Sequence, residues 1–312
     1  MTEEEGILPF PHINCSNAQI LPIVESSSPT HPIDVEAIRQ YTKRGLDANP
    51  KIDRSLSWLI LLKIYPQDKT KWPSVFQELK DQYFDYVNFT NLQDWHKNQI
   101  SPQITIDDFG EEMHDMGIIH GDVVRSGRLF FFLPCHPILY PQKVAEQGDV
   151  LFEFQAHLRR LERLLYVFRT LHKGLGYMQG FNELAIPFYY VMLQPYRKSN
   201  QPSSTKTSSE NNDDMHTYND EGITDDILDI VEALTFHCFQ KIMTETALSE
   251  LYTTQDDSSI IKHHLKKFEM LMKKHLPKCA DAIQSLNIHP IFYCLRWFIL
   301  CFAQEHDFPS LL

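Results

Sequence analysis

The sequence predicts an all-α protein. Glycine is scarce, with 11 residues in 312, about half of the usual ~7% share. Few tight turns with positive φ are therefore available for a many-stranded sheet. Apolar residues recur every three or four positions in several long segments, which is the period of one buried helix face. Hydrophobic residues make up 43% of the chain and charged residues 22%, a composition that supports a sizeable core and excludes wholesale disorder.

The helical period is present in several parts of the chain. It predicts helices over residues 72–89, 150–172, 227–243 and 260–276. Compact apolar segments lie at 57–64 and 181–193. In the clearest of these, 150–172, Arg159, Arg160 and Arg163 lie between the apolar positions. With Lys173 these arginines could form a basic rim beside the loop that follows. Residues 88–118 are polar and irregular, with Trp95 as a lone apolar anchor.

Composition divides the chain into an arm, a domain and an insertion. Residues 1–35 are rich in Pro, Ser and Asn and lack any period, so we expect a mobile N-terminal arm. Residues 36–312 are expected to form one continuous domain. Within it, residues 198–221 are of low complexity and cannot bury a core, which predicts a disordered insertion.

Charge and hydropathy exclude several classes of partner. The chain carries 41 acidic and 29 basic side chains, a net charge of −12, which argues against wrapping of nucleic acid. It also argues against binding anionic membranes by charge alone. The most hydrophobic run, 291–303, contains Arg296 and is too short to span ~30 Å of hydrocarbon. The N-terminus lacks the basic and apolar stretches of a signal peptide, so we expect a cytoplasmic chain without direct membrane insertion.

Cysteine and histidine spacing indicates no metal site. The six cysteines form no CxxC pair and no zinc spacing, and are interpreted as reduced core thiols. His263 and His264 stand beside lysines and are typical of a solvated helix face. The spacing of Gly174, Gly176 and Gly180 differs by one from a dinucleotide loop, and a helix rather than a strand precedes it. We therefore expect neither a metal nor a nucleotide site of the chain's own.

The first segment that suggests chemistry runs from Ile119 to Arg125. Asp122 precedes Arg125 by three residues and can hold its guanidinium in a fixed orientation if the segment is one helical turn. The alternative is an ordinary surface ion pair, which would contribute only a few tenths of a kcal/mol.

The second segment, 176–183, places polar amides between glycines where the chain breaks between two apolar helices. Loops held by a rigid scaffold often carry function. The alternative is a helix-linking turn in which Gln179 or Asn182 acts as a cap.

Together the two segments supply the groups that complete another protein's GTPase site. An arginine can neutralise charge that builds on the β- and γ-phosphate oxygens, and a glutamine amide can both donate and accept near the attacking water. At this point the sequence resembles the TBC-domain GTPase-activating proteins for Rab GTPases, whose motifs are IxxDxxR and YxQG. The residues that match are Ile119, Asp122 and Arg125 in the first motif, and Tyr177, Gln179, Gly180 and Asn182 in the second.

The resemblance extends over roughly residues 40–312. It includes an Arg54…Trp58 helix, an acidic-aromatic helix at 232–239 and an Arg296-Trp297 helix. With its insertion, the chain most resembles the subgroup of TBC domain family member thirteen. Ser126 stands where the family usually has Thr, and Phe181 where it usually has Met. Because the family continues into an Ile-Trp-Asp helix and beyond, the resemblance implies that the family's last C-terminal helices are lacking here.

The resemblance implies a GTPase-activating protein that acts on a Rab-family small GTPase in its GTP form and regulates vesicle trafficking. Arg125 would be an arginine finger and Gln179 a glutamine finger. The supporting residues would be Asp122 and Tyr177, which orient the fingers, and Ile119, Gly180 and Asn182, which set the loop geometry. The chain would need no cofactor of its own, because GTP and Mg²⁺ are bound by the partner, and the partner could recruit it to endomembranes. The alternative is a non-activating Rab-binding or scaffolding helical module.

Overall fold

A computed structural model describes residues 9–11, 17–47, 51–98, 100, 104–126, 155–197, 223–253 and 259–306. In these residues the regular structure is twelve α-helices joined by turns and short 3₁₀ segments, without a β-strand, which confirms the all-α prediction. The helices are α1 (Leu21–Glu25), α2 (Val35–Thr42), α3 (Lys51–Leu61), α4 (Trp72–Phe89), α5 (His114–Arg125), α6 (Gln155–Leu171), α7 (Phe181–Leu193), α8 (Asp225–Glu245), α9 (Leu248–Thr253), α10 (Ser259–His275), α11 (Pro277–Ser285) and α12 (Ile291–Ile299).

Local sequence signals set several helix ends. Asp34 caps α2 by accepting a hydrogen bond from the Ala37 amide at 2.9 Å. Pro73 lies in the first turn of α4, where its missing N–H costs nothing. Thr224 caps α8, and α7 begins directly after Gly180. Helix α4 has the bounds that the apolar period predicts, and α7 coincides with the apolar segment 181–193.

Helices α6, α7 and α8 form the centre of the molecule, and α4 and α5 pack around them. Phe168 of α6, Phe181 of α7 and Phe239 of α8 meet there, with the Phe168 and Phe239 rings 4.8 Å apart. The buried surface of α6 includes nine consecutive residues, 157–165. This helix is therefore enclosed rather than half-exposed.

The enclosure of α6 contradicts the idea of a basic rim. Arg159, Arg160 and Arg163 are all buried, and each bonds a carboxylate of its own or a neighbouring helix. Charged groups that leave water need such partners, because an unpaired buried charge is very costly. Only Lys173, among the four predicted rim residues, is exposed.

Part of the predicted N-terminal arm packs against the domain. Ile20, Val24 and Ile33 are buried, and the Asp53 carboxylate of α3 accepts the backbone N–H groups of Gln19 and Leu21 at 2.7 and 2.9 Å. The start of the short helix α1 is thus capped by the Asp53 side chain. This partner lies more than 30 residues away, so the local sequence does not reveal it. The predicted insertion, 198–221, lies outside the described residues.

No helix in the described part of the chain combines the length and the apolarity needed to cross a membrane.

Candidate functional site

Asp122 and Arg125 lie one turn apart at the C-terminal end of α5. The Asp122 side chain is 4% exposed and that of Arg125 is 65% exposed. Nη2 of Arg125 donates a hydrogen bond to Oδ1 of Asp122. The guanidinium folds back over Gly121, where a Cβ atom would stand 3.3 Å from Nη1. A buried carboxylate therefore holds an exposed guanidinium, as the helical-turn hypothesis predicts.

The second oxygen of Asp122 binds the loop between α6 and α7. The Tyr177 hydroxyl donates to Oδ2 of Asp122 at 2.9 Å. Burial and the neighbouring Asp122 charge raise the pKa of Tyr177 well above its ordinary value. The hydroxyl consequently stays protonated and remains a donor. Asp122 thus joins α5 to a loop 55 residues further along the chain.

Asn182 supplies a second connection between the same two elements. Its Nδ2 donates to the Asp122 carbonyl at 3.2 Å and to Ser126 Oγ at 2.5 Å. Ser126 Oγ in turn donates to the Asp122 carbonyl at 3.0 Å. Because only the hydroxyl is used, serine performs the same bonding here as the threonine that the family usually has.

Gly180 is required by both its backbone and its surroundings. Its φ of +103° lies in the left-handed region, which residues with a Cβ atom rarely adopt. A Cβ atom at this position would lie 2.8 Å from Cδ2 of Leu300. Beside this contact, Gln304 Nε2 donates to Glu183 Oε1 at 3.1 Å. The segment after α12 therefore packs directly on the turn that carries Gln179.

Gln179 is exposed, and its side chain forms no hydrogen bond with any described residue. It lies two positions after Tyr177 and three before Asn182, and both of these bond Asp122. Arg125 is thus bonded directly to Asp122, whereas Gln179 is positioned only by the loop whose Tyr177 bonds Asp122, and both side chains are exposed. Ile119, fully buried, belongs to the core face of α5 and makes no polar contribution.

Sequence reasoning missed the group that anchors α5 to α6. The buried Glu162 carboxylate accepts from Trp95 Nε1 at 2.9 Å and Arg159 Nη1 at 2.7 Å, and lies 2.8 Å from His120 Nδ1. Burial would raise the pKa of Glu162, but the His120 hydrogen bond and the Arg159 charge hold it below its usual value. The available signal was an acid within an apolar, periodic helix; its partners Trp95 and His120 lie 67 and 42 residues away in the sequence.

Within the described residues, no group of three or more His, Cys, Asp or Glu side chains could hold a metal ion.

The family comparison covers more than half of the chain. A profile of the Rab-GTPase-TBC domain matches residues 145–312. The chain belongs to this family. Of the two motifs, the one at Tyr177–Gly180 lies within the matched residues, and the one at Ile119–Arg125 lies before them.

Relatives of this TBC chain are distant in sequence. The GTPase-activating protein GYP1 of Saccharomyces cerevisiae is 23% identical, over 90% of this chain and 36% of the relative. TBC1 domain family member 13 of Homo sapiens is 26% identical, over 90% of this chain and 79% of the relative. A TBC domain-containing protein of Schizosaccharomyces pombe is 26% identical over half of this chain. The chain spans only 21% and 36% of the two yeast proteins.

A solved structure shares the fold. The crystal structure of the Ypt/Rab-GAP domain of Gyp1p superimposes with a TM-score of 0.57 at 21% identity, over 91% of this chain and 73% of that one. This likeness supports the TBC fold over nearly the whole chain.

Proposed function

We propose that this TBC domain stimulates GTP hydrolysis by a Rab-type small GTPase and supplies Arg125 and Gln179 to the partner's site. In addition to family membership, one structural observation supports these roles for Arg125 and Gln179. The buried Asp122 carboxylate bonds Arg125 with one oxygen and the glutamine loop, through Tyr177, with the other. Two exposed polar side chains are thereby held to a single rigid point, as a pair of groups that act on one ligand requires.

Arg125 has the chemistry of an arginine finger. A guanidinium carries five N–H donors in a planar arrangement that matches phosphate oxygens. In the described residues only Nη2 of Arg125 is engaged, by Asp122, so the remaining donors are available to a partner. As water attacks the γ-phosphorus and the bond to the β–γ bridging oxygen breaks, negative charge grows on that oxygen. Arginine supplied in trans accelerates this step by about 10³–10⁵.

Gln179 has the chemistry of a water-positioning group. Its amide carbonyl can accept a proton of the attacking water while its NH₂ donates to the γ-phosphate region. The products are GDP and inorganic phosphate, and neither residue is consumed. GTP and Mg²⁺ would belong to the partner, so this chain would contribute only the two side chains and the surface that binds the partner's GTP form.

We further propose that the chain meets its partner on endomembranes and is recruited there through it. The family's association with Rab-type GTPases supports this location.

The test is single-turnover GTP hydrolysis by a panel of purified Rab GTPases, with and without the full chain. We expect acceleration of at least one Rab, a loss of about 10³-fold or more for Arg125→Ala, and a strong loss for Gln179→Ala. Arg39→Ala is a matched control, since Arg39 is exposed and also pairs with an acid three residues away, Glu36. It should retain full acceleration.

Two results would contradict the proposal. If the Arg125→Ala variant still accelerates hydrolysis, Arg125 is not an arginine finger. A folded protein that binds GTP-loaded Rab without accelerating any member of the panel would instead support the non-activating scaffold.

A further inference from the structure

Charge is distributed unevenly along this chain. Residues 259–278 contain six lysines and one glutamate, a formal charge of +5, although the whole chain carries −12. This stretch is α10 and the start of α11, and all six lysines are exposed. The acidic average therefore conceals one strongly basic helix.

Met270 lies at the centre of the exposed side of α10. Its side chain is 62% exposed, whereas Leu265, on the opposite side of the helix, is buried. The neighbours of any residue on a helix surface are those three and four positions away. For Met270 all four are lysines. We call these five residues the α10 lysine face: Lys266, Lys267, Met270, Lys273 and Lys274.

The lysines of this face have no acidic partners in the described part of the chain. By contrast, Lys71, Lys97 and Lys241 each pair with an acid one turn away. Four unpaired like charges around one apolar side chain repel each other and bring no packing contribution to the fold. An anionic ligand that lies against the face would relieve this repulsion.

We propose that the α10 lysine face binds the surface of an anionic lipid membrane. The lysines would contact acidic headgroups, and Met270 would reach the boundary of the acyl chains. Clusters of four to eight lysines have this property, each residue near the surface adding roughly a fivefold factor to partitioning. The helix would lie on the membrane rather than cross it.

The shape and the apolar centre of the face favour a membrane over other anionic partners. Most of the face lies on the exposed side of a single helix, which suits a flat surface, and only Lys273 borders the groove between α10 and α11, the kind of site in which a peptide docks. Nucleic acid offers phosphates but no apolar layer in which Met270 could be buried. This proposal is independent of the proposed GTPase-activating function.

The experiment is co-sedimentation of the full chain with large vesicles of phosphatidylcholine alone or with about 30% phosphatidylserine, the anionic lipid of cytoplasmic leaflets. We expect binding to the anionic vesicles, little binding to the neutral ones, and release by added salt. Circular dichroism on each protein confirms that it is folded.

Two variants with the same net charge distinguish the effect of the α10 lysine face from the effect of overall charge. Neutralising Lys266, Lys267, Lys273 and Lys274 to Gln should lower partitioning at least about 100-fold, because four factors of roughly five are lost. Neutralising four exposed lysines elsewhere gives the same net charge and should change partitioning only a few-fold. These control positions are Lys43, Lys63, Lys71 and Lys97. Met270→Gln, with every charge kept, should weaken binding several-fold.

Three outcomes would overturn the proposal. The first is no binding of the full chain to anionic vesicles. The second is equal loss of binding in the two quadruple variants. The third is that the chain binds polyglutamate, a model of an acidic protein segment, but does not bind the anionic vesicles. This would identify an acidic protein as the partner.

Discussion

Two regions of this molecule use the same three chemical groups for opposite purposes. In one, the buried Asp122 carboxylate accepts hydrogen bonds from Arg125 and Tyr177. In the other, the buried Glu232 carboxylate accepts from Arg163 and Tyr83. Both regions join helices far apart in sequence. They differ in how far the arginine side chain is exposed to solvent.

Arg163 is 1% exposed and makes a two-pronged contact with Glu232, through Nε at 2.7 Å and Nη2 at 2.5 Å. Its Nη1 also donates to the Gln93 carbonyl at 2.8 Å. Arg125 is 65% exposed and uses one nitrogen. The comparison teaches that an arginine whose donors are all satisfied within the fold stabilises it. An arginine held at one point with its other donors in solvent is poised for a partner.

Removing the enclosed arginine should have the largest effect on stability. Arg163→Ala removes the two-pronged partner of the buried Glu232 and leaves Arg160 Nε, 3.6 Å away, as its cationic partner among the described residues, so the free energy of unfolding should fall by about 3–5 kcal/mol. Arg125→Ala should cost about 1 kcal/mol, because its guanidinium is mostly hydrated already and the buried Asp122 keeps the Tyr177 hydroxyl as a donor. Urea unfolding followed by circular dichroism measures both. Equal losses would show that the two regions do not differ as we describe.

A second test measures how stability depends on the protonation of His157, which is buried in α6. Burial, and to a lesser extent the Arg160 charge, lowers the pKa of His157 from 6.5 to about 3. Below pH 6.5 the unfolded chain therefore binds a proton that the folded chain does not, and stability falls as the pH falls toward 3. The loss attributable to His157 should reach about 2 kcal/mol at pH 5, at about 1.4 kcal/mol per pH unit.

His157→Gln removes this titration and should flatten the decline in unfolding free energy between pH 6.5 and 5. His263→Gln, at an exposed position, is the matched control and should keep the wild-type slope. A His157→Gln variant that keeps the wild-type slope would show that the interior of α6 accepts a protonated imidazole at this position.

A third test compares the two tyrosine hydroxyls, one in each region. Tyr83→Phe removes a fully buried donor to a charged acceptor and should cost about 1.5–3 kcal/mol of unfolding free energy. Tyr177→Phe should cost about 1 kcal/mol, yet should lower Rab stimulation about tenfold, because the glutamine loop loses its bond to Asp122. Unfolding and single-turnover hydrolysis on both variants provide the comparison. A stimulated rate unaffected by Tyr177→Phe would contradict the positioning role of this hydroxyl.

Local patterns were sufficient for some of this architecture. The spacing of apolar residues predicts α4 with its observed bounds, since one buried stripe suffices to define it. The apolar segment 181–193 coincides with α7, which is buried on most sides. The contact between Asp122 and Arg125 was also predictable, because it needs only one helical turn. Helix α5 itself carries too few periodic apolar residues in its first half to be recognised from period alone.

Contacts between distant segments were not predictable from patterns. Spacing gives no reason for Tyr177 to meet Asp122, and the family resemblance alone suggested that both orient the fingers. The contact of Leu300 with Gly180 joins positions 120 residues apart and has no local signal. The arginines of α6 show the same limit, because a sequence does not reveal that a helix is enclosed on all sides. Their carboxylate partners lie on α6 itself and on α8, 65–69 residues further along.

The most direct test of this account replaces each arginine by lysine, which keeps the charge and loses the planar arrangement of donors. Stimulated GTP hydrolysis and thermal unfolding are measured on the same two proteins. Arg125→Lys should abolish stimulation with a Tm within about 2 °C of wild type, since its stability cost is small. Arg163→Lys should lower Tm by several times that amount and still stimulate hydrolysis below its transition. An Arg125→Lys protein that stimulates as well as wild type would contradict the account.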